Sequence, residues 1–422
     1  MSNPLRKTGM SPRLLLTYVV LGFAYPAMIG FVFMQYVYYD AMIAAMQITH
    51  TQLGLLLTIE ALGAMALALP GGILIDRFDC KKVMALSLGI SALACIWFAL
   101  SPTYSSALGV WTVLAITMCG FYPAIYKVIR IIASEKNQGK SYGFFGACNA
   151  IGFMAVNFTA LSVYKSVHES SGAVDGLSAV LWVFAAVLIL GTVLGYLLVR
   201  GVNNPEAEAT ELDRFSFADL KHVLKMPGTW LVFVVGFGIN GLHLSMSYFT
   251  PYFTSVLGTA VVFSGALAVI RQYGMRLVSS PLGGWYGDKI GSTTRVIRFA
   301  VAVAGLLVIS IMLLPAGTAL FLIIILVLVI AFMDNMSLSL CYSTFAEALI
   351  PRRYMGTVLG VITILLPDLF IPPMYGHWLD THGNDGYYYI FSFTVFLCVI
   401  CVVAATIIIR RARKHREMAE QS

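Results

Sequence analysis

The sequence is poor in charge. Only 11% of its 422 residues are Asp, Glu, Lys or Arg, against 59% apolar ones, where a soluble chain of this size carries roughly 25% charge. The shortfall excludes a solvated globular enzyme and leaves a polytopic membrane protein. Extended polar stretches are scarce too, with residues 201–228 the one long polar connection. No GxxxxGK[ST] loop occurs, so ATP hydrolysis is not expected to supply energy. No HExxH cluster or nucleophile–base motif stands out, which argues against an intramembrane enzyme, and neither a metal nor a cofactor is expected. No small-residue cleavage site follows the first apolar stretch, about Leu14 to Tyr39. It is expected to stay as a span and not to leave as a signal peptide. The seven cysteines are scattered singly except Cys398 and Cys401, which read as small apolar residues on a helix face and not as a redox pair.

What is there is apolar and long. Twelve runs approach the roughly 20 residues needed to cross hydrocarbon: about 13–39, 50–75, 82–101, 106–132, 140–164, 177–200, 229–257, 262–287, 294–315, 318–345, 354–378 and 386–410. Each is expected to be helical, because lipid offers open backbone no hydrogen-bond partner. Pro26, Pro123 and Pro251 are placed to kink their helices. The net charge of +7 does not point to nucleic acid, since almost all of the 27 Lys and Arg lie in loops on the side shared by both termini. Lys165 alone lies on the other side, and Lys127, Arg130, Arg271 and Arg276 fall within spans. By the positive-inside rule both termini are expected in the cytoplasm. The central loop divides the chain six spans plus six: residues 1–200, a cytoplasmic loop 201–228, and residues 229–422 with a short basic tail. An amphipathic piece, Phe215 to Met226, could lie on the membrane surface, but a solvated linker is the favoured expectation.

Leu267 to Arg298 organises the rest. It begins as apolar helix carrying Arg271 and Arg276, and ends in a tight polar turn, Gly284 to Gly291, that holds Asp288 and Lys289. A copy lies 212 residues earlier, where Asp76 matches Asp288. It runs from Gly71 to Lys82 and contains Gly72, Leu74, Arg77 and Lys81. A further echo pairs Glu135–Gly139 with Pro351–Gly356 at an offset of 217. With these paired loops the chain resembles the major facilitator superfamily, whose loop signature is roughly G-x-L-x-D-R-x-G-R-K. The first copy departs from it, with Asp79 where glycine is usual and Cys80 where a basic residue is usual. The resemblance covers nearly the whole chain. It implies an all-α membrane protein of twelve transmembrane helices in two pseudo-symmetric six-helix bundles. It also implies that spans 1, 4, 7 and 10 line the cavity and that spans 2, 5, 8 and 11 form the contact between halves. Within the family the texture is similar to sugar-phosphate permease-like and small organic-anion carriers. The loops are understood there as gate latches, which assigns Asp76, Arg77, Asp288 and Lys289 to gating, with Arg130 a possible partner. Simple topology anchoring is the other reading.

A charge at the bilayer centre costs about 2.5–3.5 kcal/mol on insertion scales, so retained ones usually serve a pathway. Lys127, Arg271 and Arg276 are the basic candidates for binding an anion, and an arginine fork suits carboxylate, sulfonate or phosphate. Arg271 and Arg276 are about 140° apart on a regular helix, so one is expected to face the solute and the other a protein partner. Structural ion pairs with Glu60 or Asp368 are the alternative. Glu60 and Asp368 are candidates for proton coupling, or for charge balance alone. Asp334 could bind a solute hydroxyl or carry a proton, and could also pair with His243 or Lys127. His243 is a possible titrating group. Tyr25 and Tyr122 can supply an apolar wall with a hydrogen-bonding tip, and Asn240 adds an amide.

These residues predict a secondary transporter of a small organic anion, working by proton symport or anion exchange. Its partners are the solute, a proton or counter-anion and the lipid bilayer; no nucleic acid is involved and no oligomeric partner is required. A proton-coupled exporter of neutral or cationic compounds, built on Glu60, Asp334 and Asp368, is the first alternative. A transporter-like membrane sensor is the second.

Overall fold

Each backbone group in lipid must be satisfied within its own helix, and every described element of the chain is helical. The structure, a computed structural model, describes residues 12–132, 138–199, 217–315, 317–351, 354–364 and 367–421. Side chains are described for these except at 68–77, 130, 138–142, 217–219, 356, 360, 363–364, 416 and 419–421. The chain forms two compact units, Met1–Ala207 with Val261–Val269, and Glu208–Ala260 with Ile270–Ser422.

The first unit is built from α1 (Pro12–Val32), α2 (Gln35–Met46), α3 (His50–Arg77), α4 (Cys80–Leu100), α5 (Tyr104–Ile132), α6 (Gln138–Ser171) and α7 (Ala173–Leu198). The first apolar run forms two helices, α1 and α2, broken at Phe33–Met34 and not at Pro26. Pro26 stays inside α1, where it cannot donate to the carbonyl of Gly22. That carbonyl lies against Gly152 of α6, so close that a β-carbon there would overlap it. Gly22 is in turn pressed on the side chain of Cys148. Small residues thus let two backbones meet, which is how helices associate without a hydrophobic drive between them. Gly63 on Ala115 and Gly191 on Ala24 repeat the device. Gly152→Val is expected to cost about 1–3 kcal/mol of stability by overpacking, read as a lower unfolding midpoint. Gly143→Ala, on the same helix with open space where its β-carbon would go, should leave that midpoint unchanged.

The second unit opens with α8 (Phe217–Lys225), α9 (Pro227–Ser247) and α10 (Phe249–Ser255). The segment expected to be a solvated linker is docked instead. Val223 is fully buried, its carbonyl accepts from Thr229 Oγ1 at 2.8 Å, and the Leu224 carbonyl accepts from the Trp230 indole at 2.8 Å. The His222 ring lies 5.1 Å from that of Tyr354. An amphipathic face with a partner of its own chain does not stay solvated. Pro251 cannot donate to the Ser247 carbonyl, and α9 ends there.

The eighth span combines α11 (Val261–Val269), a five-residue π-turn (Ile270–Gly274) and α12 (Met275–Ile290). Helix α11 belongs to the first unit, where Gly265 faces Leu161. After α12 come α13 (Thr293–Met312), α14 (Leu320–Leu340), α15 (Thr344–Glu347), α16 (Met355–Ile364), α17 (Ile371–His382) and α18 (Gly386–Gln421). The span expected over 354–378 is not one helix: α16 and α17 are separated by a 3₁₀ turn at Pro367–Leu369, and Pro372 follows at the start of α17. Eleven helical runs among the described residues are long and apolar enough to cross a membrane. The last of them, Ile371–His415, turns at Gly383–Asp385 between α17 and α18.

Candidate functional site

The π-turn builds the centre of the second unit. A π-turn inserts one extra residue into an α-helix and frees local backbone groups. Here the Asn335 amide reaches the freed Arg271 carbonyl at 3.5 Å and the Ala331 carbonyl of its own helix at 2.9 Å. Arg271, Gln272 and Tyr273 all turn inward. Arg271 is 0% exposed. One guanidinium nitrogen donates to Thr250 Oγ1 at 2.9 Å, while Nε and the other terminal nitrogen have no protein partner.

Beside it lies a second buried polar line. His243 of α9 meets Asp334 of α14, Nδ1 to Oδ2, at 2.7 Å, and Gln272 Nε2 lies 2.8 Å from His243 Nε2. The side chain of Asp334 is 0% exposed and that of His243 16%. The other Asp334 oxygen, Oδ1, is buried without a hydrogen-bond partner. Asp334 acts electrostatically on Arg271, although no carboxylate among the described residues lies within ion-pair distance of that guanidinium. The hydrogen bond of Arg271 goes instead to a neutral hydroxyl, that of Thr250.

Arg276 goes the other way. It is exposed, in the middle of the 30-residue span Val261–Ile290. Of the two arginines, one is thus inside the unit and the other on its outside.

In the first unit Tyr25 is ringed by Phe121, Tyr122, Tyr126, Phe145 and Phe153, with ring centroids 6.0–6.3 Å away. Tyr122 and Lys127 are half-buried on α5, and Glu60 is buried on α3. Asn240 of α9 spends its amide on the Gly236 carbonyl of its own helix, 2.8 Å away. Asp368 sits half-buried on the 3₁₀ turn and acts electrostatically on His243.

The side chains of Asp76, Arg77 and Arg130 lie outside the described residues. Asp288 is exposed and forms no ion pair among the described residues. Lys289 Nζ lies 4.9 Å above the Trp285 ring. Gly291, at φ 67°, ψ 23°, caps α12 in the left-handed region, with its N–H on the Asp288 carbonyl at 3.2 Å. Only glycine enters that region at no steric cost, which accounts for the last glycine of the turn.

Sequence reasoning missed two residues. Gln272 is one. Its signal was its register, since it stands 212 residues after Glu60. Glu347 is the other. Its carboxylate accepts from Ser292 Oγ at 2.6 Å, Thr293 Oγ1 at 2.9 Å and the Thr294 N–H at 3.1 Å. It closes the start of α13 against α15, just after the signature turn. Ser343 adds a bond to Thr293 Oγ1 at 2.7 Å. Glu347→Ala strips these donors and is expected to cost about 2–3 kcal/mol, with faster deuterium uptake over residues 287–296; Glu347→Gln should recover part of the loss.

Comparison with known proteins gives this architecture its family. The Major Facilitator Superfamily model matches residues 14–367. Inner membrane protein YqcE of Escherichia coli (strain K12) is 27% identical over 376 residues, covering 87% of each chain. Inner membrane protein YihN of the same organism is 24% identical over 354 residues, covering 81% of this chain and 83% of its own. Among solved structures, a bacterial homologue of the human lysosomal transporter Spinster, inward-facing and unoccupied, superposes with a TM-score of 0.69 at 16% identity. That match covers 96% of this chain and 98% of the other. Nucleoside transporter NupG superposes with a TM-score of 0.72 at 12% identity, over 94% and 98%. Eleven apolar helical runs among the described residues, charged turns repeated in each half and the family match have one reading: the chain is a multi-pass membrane protein of the major facilitator superfamily, a transporter and not an enzyme.

Proposed function

We propose that the chain is a secondary active transporter of a small organic anion, phosphorylated, sulfonated or carboxylated, working by alternating access in the cytoplasmic membrane. The observation that carries this reading is Arg276. It is exposed at the middle of a span, with no carboxylate of the described residues in ion-pair range. A cation there facing hydrocarbon would cost about 2.5–3.5 kcal/mol or more, so its exposed face belongs to a water-filled passage. A guanidinium in such a passage is a planar fork for an oxyanion.

In this reading Arg276 is the anion contact of the second unit, and Lys127, Tyr25 and Tyr122 are the first unit's own candidates for contact with the solute. Arg271, His243 and Asp334 form the buried charge cluster behind the site, with Asn240 bordering it. Glu60 and Asp368 are further protonatable groups, and Asp76, Arg77, Arg130, Asp288 and Lys289 act at the gates. The inner-membrane relatives from Escherichia coli support the cytoplasmic membrane as location. The one-sided distribution of basic loops supports cytoplasmic termini.

The test is a thermal-shift screen of the purified protein against phosphorylated, sulfonated and carboxylated solutes, repeated on Arg276→Gln. A stabilising anion whose effect disappears in the variant supports the reading. Stabilisation by neutral or cationic compounds alone, equal in the variant, would replace it with the exporter. Binding without flux in proteoliposomes would favour the sensor.

A further inference from the structure

Bonded to the buried carboxylate of the cluster is a group that can change its own charge. We propose that His243 is the proton-binding site of this transporter, and that the Gln272 amide turns over as the imidazole gains or loses its proton. The two hydrogen bonds on the ring carry the argument. Asp334, an acceptor, lies 2.7 Å from Nδ1, which fixes a hydrogen there. Gln272 brings its side-chain amide to Nε2, with the amide nitrogen at 2.8 Å. With that NH₂ end, which can only donate, on Nε2, the ring is neutral in its Nδ1–H form. A proton arriving at Nε2 turns that contact into donor against donor. It is relieved by rotating the amide half a turn, so that Oε1 accepts from Nε2–H. Gln272 is thus bistable, and the charge on His243 selects its state.

Access separates His243 from its neighbours. Arg271 and Asp334 are fully buried, whereas the His243 side chain is 16% exposed, so it is the member of the cluster that can meet a proton from outside. Imidazole is also the side chain whose ordinary titration falls between about pH 5 and 8. The carboxyl groups that bear on the ring are Asp334 of α14, bonded to Nδ1, and Asp368 of the 3₁₀ turn, coupled to it electrostatically, with Arg271 of the π-turn acting on Asp334. The other titratable groups packed on α9 lie elsewhere. Tyr375 bonds Ser245, Cys398 acts on Asp334, Cys401 lies at Gly238 and Cys341 at Gly236, and Glu347, with the basic residues of α8, lies toward the opposite end of α9.

The charge arithmetic follows. With neutral imidazole, the charges of Arg271 and Asp334 offset each other. With imidazolium the cluster carries one more positive charge. A proton on His243 therefore favours an anion in the passage, and loss of the proton favours release. This last consequence rests on the anion reading above; the proton site itself does not, and its test needs no solute.

The test is nitrogen-15 NMR of histidine-labelled full-length protein in lipid nanodiscs, titrated from about pH 5 to 8.5. The His243 signal is assigned by its loss in His243→Gln or, should that variant not fold, by its displacement in Gln272→Glu. The expected result is an Nδ1–H neutral tautomer at high pH that converts to imidazolium within this range. Gln272→Glu offers Nε2 a permanent anionic acceptor, and should raise the midpoint by about one pH unit or more. Asp334→Asn should lower it and abolish the tautomer preference. The remaining histidine signals report that each variant is folded. A His243 ring that keeps one charge state throughout, or a midpoint that ignores both Gln272→Glu and Asp334→Asn, would overturn the proposal.

Discussion

Asp334→Leu is expected to cost the second unit about 3–5 kcal/mol, the usual penalty for removing one partner of a buried charge cluster. The reason is what remains. Arg271 is 0% exposed and its single hydrogen bond goes to the neutral hydroxyl of Thr250. Its counter-charge, Asp334, also holds the His243 ring at 2.7 Å. Loss of Asp334 leaves a desolvated cation without compensation and an imidazole N–H without an acceptor. Arg271→Met should cost much less. The carboxylate it leaves behind keeps its imidazole bond, and methionine fills the space of the guanidinium stem. The double variant should regain most of the loss, because a buried pair replaced on both sides by apolar groups of similar volume is often close to neutral. Unfolding midpoints of the four proteins form a double-mutant cycle, with an expected coupling of about 2 kcal/mol or more. Additive effects would mean that the two charges do not see each other, and that Arg271 is compensated by something other than Asp334.

Much of the fold was legible because lipid leaves few choices. A run of some 20 apolar residues must be a helix, and turns of matching chemistry 212 residues apart, at Asp76 and Asp288, announce a duplicated plan. What hydropathy does not see is a change of helical register. The π-turn at Ile270–Gly274 differs from α-helix by one inserted residue, and nothing in the composition of Ile-Arg-Gln-Tyr-Gly declares it. Yet it is this turn that sends Arg271 and Gln272 inward together. The break at Pro367–Leu369 was hidden in the same way, inside a stretch apolar enough to read as one span. His243 and Asp334 were visible as polar residues in apolar runs, but their pairing depends on the packing of α9 on α14. Glu347 escaped notice because it sits at a span end, where a carboxylate needs no explanation. Its three hydrogen bonds to residues 292–294 come from a segment more than 50 positions away in the chain.

Arg276→Gln is expected to weaken anion transport ten- to hundredfold in apparent affinity while leaving stability nearly unchanged. The magnitude follows from losing a charge-assisted hydrogen bond, about 1.5–3 kcal/mol, at 1.4 kcal/mol for each factor of ten. Arg276→Lys keeps the charge but loses the planar fork, and should fall between. The neutral effect on stability is the sharper half of the prediction. If Arg276 faced hydrocarbon, removing its charge would recover about 2.5–3.5 kcal/mol, and Arg276→Leu would stabilise the protein markedly. If it faces water, Arg276→Leu gains nothing. Chemical access offers an independent check. Arg276→Cys should react with a membrane-impermeant thiol reagent well above the background of the native cysteines, which are buried or, at Cys119, half-buried. An added anion that protects this thiol would show that the solute occupies the space in front of residue 276. A variant that is stabilised and unreactive would show instead that the side chain points to lipid, and the anion site would then have to be sought around Lys127.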